Sequence, residues 1–398
     1  MRRLTVLIAL TLTLAACGAD AGTESAPSSS AETTQAEDTT TTSVGSPATG
    51  GVSALDALGS GDLPGALVDP AEVISGGPPP DGIPPLDEPA FRSIEESEDS
   101  LDETEPVIAL EIDGDARAYP VDIMIWHEIA NDTVGGVPVT VTYCPLCNSA
   151  VTYERTIDGT ETTFGTSGSL YASALVMYDR ATESLWTHLD GRAIAGELAG
   201  TRLEAIPSPL LSWEDFKAAY PDGQVLSRET GFNRNYGQNP YFGYDNPDTE
   251  PFLFLGTPDD RARAKQRVVG VEVEGASTGF ALEAVSGGEA RATMATVGDT
   301  DIVIFWKAGQ NSALEGADTS DGRDVGSVAV FLPTVDGQPL TFDADGATFV
   351  DAETGSTWDI TGRAIAGELE GSRLEQLHHL DTFWFAWSTY RPGTALVE

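Results

Sequence analysis

Cysteine, histidine and an arginine set among acids are the residues of this 398-residue chain whose types and spacing could do chemistry. The stretch VTYCPLCNSA, residues 141–150, separates Cys144 from Cys147 by a proline and a leucine, between runs that alternate like strands. A thiol pair at that spacing can ligate a metal, exchange with a disulfide or close a small loop. A redox pair normally sits at a helix N-terminus, whose positive end stabilises the thiolate. Here Asn148-Ser149 reads as a turn and AVTYERT alternates with period two, which predicts a strand-turn-strand knuckle. Pro145 stiffens the bend. Asn148 tolerates the left-handed backbone that lets N–H groups point at sulfur.

The local form, C-P-x-C followed by a turn residue, resembles the metal knuckles of rubredoxin-like and zinc-ribbon proteins. No second knuckle follows, so further ligands must come from elsewhere, and histidine is the natural supplier. The chain has four: His127 in WHEIAND, His188 in LWTHLD, and the adjacent His378 and His379. Cys144, Cys147, His127 and His188 are the expected ligand set, for Zn²⁺ or, if only one imidazole binds, the softer Cu(I). Arg180, in MYDRATESLW, is expected beside them as a supporting or anion contact, whereas Asp179 and Trp186 read as scaffold. His378-His379 reads as an exposed turn without a role. Two rival readings stand: a thiol-disulfide oxidoreductase using the CPLC pair, and a non-catalytic interaction protein with a structural bridge. So short a bridge constrains the unfolded chain by only about 2 kcal/mol in the chain-entropy model, which favours the metal reading.

The elements around these residues are written twice. GRAIAGELAGTRLE (191–204) returns as GRAIAGELEGSRLE (362–375), TIDGTETTF (156–164) as TVDGQPLTF (334–342), and PVIALEIDGDARAYPV (106–121) as RVVGVEVEGASTGFAL (267–282). VTYCPLCNSAV also pairs with IFWKAGQNSAL (304–314), so that Lys307 stands for Cys144 and Gln310 for Cys147. Both sulfurs are therefore absent from the second copy, and no histidine falls near the counterparts of His127 or His188, which marks the site as functional and confined to the first. Asp-Gly turns between alternating runs predict hairpins, and only PVDIMIWHEIA and SWEDFKAAY read as helices. The expected fold is mainly β with few short helices: two tandem homologous β-rich modules, 105–230 and 266–398, packed about a pseudo-twofold axis. Between them 231–265 is an aromatic and asparagine-rich connector, either a lid over the site or a spacer whose rings pack on both modules.

Met1-Arg2-Arg3 followed by an apolar run to Leu14 reads as an export signal, 1–16, too short to stay as a membrane span. Its end, LAACG, resembles the bacterial lipobox, which makes Cys17 a lipidation site and the protein a lipoprotein anchored on the extracytoplasmic face of the cell membrane. Acyl chains hold a protein there at about 0.8 kcal/mol per buried CH₂. Residues 17–60 have the composition of a disordered tether, and 61–104 that of a proline-rich extended strap. Lys plus Arg total 21 against 63 acids, a formal charge of −42. Such a field repels phosphate backbones and argues against nucleic acid as a partner. No nucleophile elbow, phosphate loop, HExxH helix or dinucleotide fingerprint occurs.

The stretches GGPPPDGIPPLDEPAF, AYPVDIMIWHEIANDTVGG, VTYCPLCNSA, MYDRATESLW and GRAIAGEL resemble those of a bacterial family known as domain of unknown function 3179, over about residues 71–398. The resemblance implies membership but no mechanism, so function rests on the residues.

Overall fold

The computed structural model describes residues 52–97 and 100–398. The expected signal, Cys17 and most of the tether lie outside the described residues.

The first half is a series of hairpins. β1 (Pro106–Ile112) and β2 (Asp115–Pro120) pair antiparallel around Asp113-Gly114, where φ is 51° and 86°, the left-handed values that a tight two-residue hairpin turn needs. α1 (Val121–His127) follows directly, and the chain then reverses through Glu128 at φ 60°. β3 (Ile129–Val134), β4 (Val137–Cys144) and β5 (Ser149–Glu154) form the centre of one five-stranded sheet. β6 (Phe164–Tyr171), β7 (Ala174–Asp179) and β8 (Leu185–Thr187) lie in another. α2 (Trp213–Ala219) is capped by the Ser212 hydroxyl, which accepts from the Asp215 N–H at 3.1 Å.

The second half repeats that order: β9 (Arg267–Val273), β10 (Ala276–Ala281), the short α3 (Leu282–Val285), β11 (Ala290–Val297), β12 (Thr300–Lys307) and β13 (Ser327–Leu332). β14 (Phe342–Asp345), β15 (Thr348–Asp351) and β16 (Thr357–Trp358) come next, then β17 (His379–Phe383) and α4 (Trp384–Tyr390). The fold is mainly β, with four α-helices among the described residues.

The halves do not keep separate cores. One buried cluster joins Val107, Trp213 and Phe216 of the first half to Phe305, Phe331 and Trp358 of the second. Another joins Tyr143 and Trp186 to Phe383 and Trp384. Burial at about 25 cal/mol per Å² makes such shared aromatic surface the main cohesion between them.

Three expectations change. Folded chain begins earlier than residue 105, and even before residue 60: Ala54, Ala57 and Leu63 pack on Val176, Leu185 and Ile194. The strap is extended, as its prolines require, but it belongs to the sheets, with Val73–Ser75 paired to β6 and Leu86–Asp87 paired to β3. The alignment of the two cysteine segments holds only to Lys307. Cys144 pairs with Ser149 across the turn 145–148, whereas Lys307 pairs with Ser327 across the far longer excursion 308–326. Ser327, not Ser312, is therefore the structural counterpart of Ser149, and the turn that carries Cys147 has no equivalent. His379 is a further difference: it is a buried strand residue with ring nitrogens 3.2 Å from the Leu377 and Val328 carbonyls.

Candidate metal centre

The knuckle forms because the chain can reverse tightly only where Asn148 adopts φ 49°, after which its N–H reaches the Pro145 carbonyl at 3.3 Å. That reversal delivers both sulfurs to the interior, with Cys144 and Cys147 at most 1 % exposed and not bonded to one another. Burial pushes the Cys144 thiol up, but the Cys147 thiol and the N–H groups of Leu175, Cys147 and Leu146 outweigh it and hold Cys144 below the usual range. Burial and the neighbouring Cys144 push Cys147 well above that range, with the Ser149 hydroxyl opposing. The Cys147 sulfur lies 3.0 Å from Ser149 Oγ and 4.0 Å from His188 Nδ1.

His188 arrives from the end of β8. Its N–H donates to the Leu175 carbonyl at 3.1 Å and its own carbonyl accepts from the Tyr153 hydroxyl at 2.8 Å, so the backbone is fixed from both sides. The ring is fully buried, and burial alone depresses its pKa to about 3, which keeps it neutral and able to donate a lone pair. Its Nε2 is buried without a hydrogen-bond partner, a costly condition for a polar atom. Cys144, Cys147 and His188 each offer a ligand atom within 4.8 Å of the others. Tetrahedral zinc, with Zn–S near 2.3 Å and Zn–N near 2.0 Å, places its donors about 3.5 to 3.8 Å apart. The donor set fits a thiophilic ion after a contraction of roughly 1 Å, a side-chain adjustment.

The second half of the chain buttresses this turn. The Cys147 carbonyl accepts from the Thr382 hydroxyl at 2.7 Å and the Phe383 N–H at 3.1 Å. Asn148 reaches Asp381 at 3.5 Å, and Asp381 is itself paired with buried Arg267 at 2.6 Å.

Two expected site residues lie elsewhere. His127, last in α1, has Nδ1 2.7 Å from the Pro84 carbonyl and Nε2 2.6 Å from the Tyr236 hydroxyl, so both nitrogens are committed and it does not join the sulfurs. Arg180 donates to Asp87 and Thr163, each at 3.0 Å, and to Asp81 at 3.2 Å, so its guanidinium ties the strap to β7. A dedicated anion contact there is not what the geometry provides.

The residue that α1 delivers is instead Glu128. It is 7 % exposed and its carboxyl has no hydrogen-bond partner among the described residues. Burial first, and Cys144 second, raise its pKa well above the carboxylate range. The sequence offered one clue, an acid isolated between apolar runs. Glu128 faces a cavity of about 700 Å³ whose inner wall is Leu146 and Leu175 and whose outer wall is Tyr241, Phe242 and Phe252 of the connector. Connector rings also pack on the core that the two halves share, Tyr236, Tyr241, Tyr244 and Phe254 among them, as the spacer reading expects. Gly168, at φ 74°, lets the strap close against the cavity's side: a Cβ there would lie 2.0 Å from the Pro78 carbonyl.

A family model described as a protein of unknown function, DUF3179, matches residues 80–394, and the chain belongs to that family. No curated protein and no solved structure matches it.

Proposed function

We propose that this member of the DUF3179 family binds one thiophilic metal ion through Cys144, Cys147 and His188. The observation that carries the reading is the convergence in one buried place of two unbonded thiols and a neutral imidazole whose Nδ1 lies 4.0 Å from the Cys147 sulfur. With a single histidine available, the donor set favours Cu(I), and Zn²⁺ would keep an open fourth position. When bound, such an ion supplies Lewis acidity or a carried cargo, while the N–H groups around Cys144 hold the thiolate charge. Cys17 would tether the protein to the outer face of the membrane, which Cys17→Ser tests through loss from the membrane fraction.

The test measures metal content and free thiols together on the full-length chain purified anaerobically. One equivalent of copper or zinc, lost in Cys147→Ser and in His188→Ala, is the expected result. Metal-free protein with a readily reduced Cys144–Cys147 disulfide would replace this reading by a thiol couple, although burial of both sulfurs opposes attack on a protein disulfide.

A further inference from the structure

We propose that the cavity beside the cysteine turn is the entrance to the thiols, with the Leu146 side chain as its gate, so that the centre is reached by a small molecule or a small complex of the ion and not by another protein's sulfurs. The nature of the cargo rests on the metal reading, whereas the route to the sulfurs stands without it.

Of residues 141–150 only Leu146 is not buried, and it lines the cavity of about 700 Å³. It stands in the chain between the two cysteines. Leu175, also in that wall, accepts the His188 N–H on its carbonyl at 3.1 Å. One layer of residues therefore separates the cavity from the three donors. The sulfurs otherwise belong to the core that the two halves share, in one buried cluster with Tyr143, Tyr153, Trp186 and Phe383. The backbone of the turn does not supply an opening. The Asn148 N–H holds the Pro145 carbonyl at 3.3 Å, and the Thr382 hydroxyl and the Phe383 N–H hold that of Cys147 at 2.7 and 3.1 Å. The Leu146 side chain can turn about its own bonds while all of these stay made, a fast motion for a side chain that is not buried. The outer wall carries Phe242 and Phe252, 71 % and 49 % exposed, so the far end of the cavity meets solvent. A space of this size admits a ligand of small-molecule dimensions. It excludes a folded domain, whose own thiols would have to pass two rings and then Leu146.

The experiment follows alkylation of Cys144 and Cys147 in the full-length chain, freed of metal by chelation, with two uncharged reagents of different bulk, iodoacetamide and N-(1-pyrenyl)maleimide. Each rate is read by peptide mass spectrometry and divided by that of free glutathione. The wild-type chain should react slowly with the first reagent and about tenfold more slowly with the second. Leu146 is half-buried, so Leu146→Ala leaves the fold intact; it should raise the iodoacetamide rate about tenfold and narrow the gap between the reagents. The ratio of the two rates is independent of the thiolate fraction, which scales both. Leu211→Ala empties a fully buried position in the other shared core and should move neither rate, because it loosens the fold without touching the route. Unchanged rates in Leu146→Ala, a wild-type chain that treats the two reagents alike, or equal acceleration by Leu211→Ala would each overturn the proposal. Metal content is measured in parallel. One equivalent of ion with rates indifferent to Leu146 sinks the route alone, and a metal-free chain whose rates follow Leu146 sinks the metal reading alone.

Discussion

Two corners of the molecule are built alike and loaded differently. In the first, Asp179 accepts from the Thr182 N–H at 2.7 Å, the Ser184 N–H at 3.2 Å and the Trp186 indole at 2.9 Å. In the second, Asp351 accepts from the Thr354 N–H at 2.6 Å, the Ser356 N–H at 3.1 Å and the Trp358 indole at 2.9 Å. Even the bulge before each tryptophan recurs. Between the tryptophan and the shared Gly-Arg-Ala the first corner carries one residue more, so that buried His188 and Leu189 stand where the second has buried Ile360. The same divergence appears on the facing strand end, where Cys144 has Lys307 as its counterpart. Lys307 reaches back to the nearly buried carboxylate of Asp215 on α2, which also accepts from the Ser327 hydroxyl at 2.8 Å. One corner thus collects two thiols and an imidazole, and the other fastens the halves together. Leu189 supplies the first corner with the buried apolar side chain that Ile360 gives the second, and His188 is the addition.

The sharpest way to break this comparison is to import the second corner's residue into the first. His188→Ile should take bound metal from one equivalent to none while stabilising the metal-free chain by about 1–2 kcal/mol, since an unpartnered buried nitrogen disappears. Metal analysis and a urea midpoint check both, and retained metal would end the argument. Next in size, Lys307→Met leaves Asp215 buried without its cation and should cost about 3–5 kcal/mol, read from the same midpoint. Equivalence of the two frames is tested by Asp179→Asn and Asp351→Asn, each expected to cost roughly 2–3 kcal/mol, and a wide gap between them would show the corners to be different structures.

A pH series addresses His127, which burial holds below the ordinary histidine range. Because its folded pKa is depressed, its contribution is fully present above the unfolded value near 6.5 and is lost as pH falls below it. His127→Gln should flatten the stability profile on that acid side while metal content stays unchanged. The smallest effect belongs to Arg180→Ala, whose partners Asp81 and Asp87 are half-buried and exposed, at about 0.5–1 kcal/mol with no change in metal.

Much of this was legible in the residues and some was not, for definite reasons. Alternation and Asp-Gly turns give the hairpins, because strand faces and left-handed turns each leave a local signature. The knuckle at Cys144 and its dependence on Asn148 follow from the same local rules. Placing His127 with the sulfurs failed because nothing local reveals that its ring, at the end of α1, is taken by the Pro84 carbonyl and the Tyr236 hydroxyl, both far off in the chain. Pairing Gln310 with Cys147 failed because three matching letters, Asn-Ser-Ala, outweighed an excursion that only strand register reveals. The tether was read from small residues, yet Ala54 and Ala57 are small because they lie against Val176 and Leu185.

The grip of Thr382 and Phe383 on the Cys147 carbonyl spans 235 positions of chain. A nascent polypeptide emerging from its N-terminus must therefore carry both thiols uncovered until nearly the last strand has been made. Were the chain exported and the site metal-binding, as proposed, that interval would be a race between crosslinking and capture of an ion, settled by the order in which the sequence is written and not by the strength of the finished site.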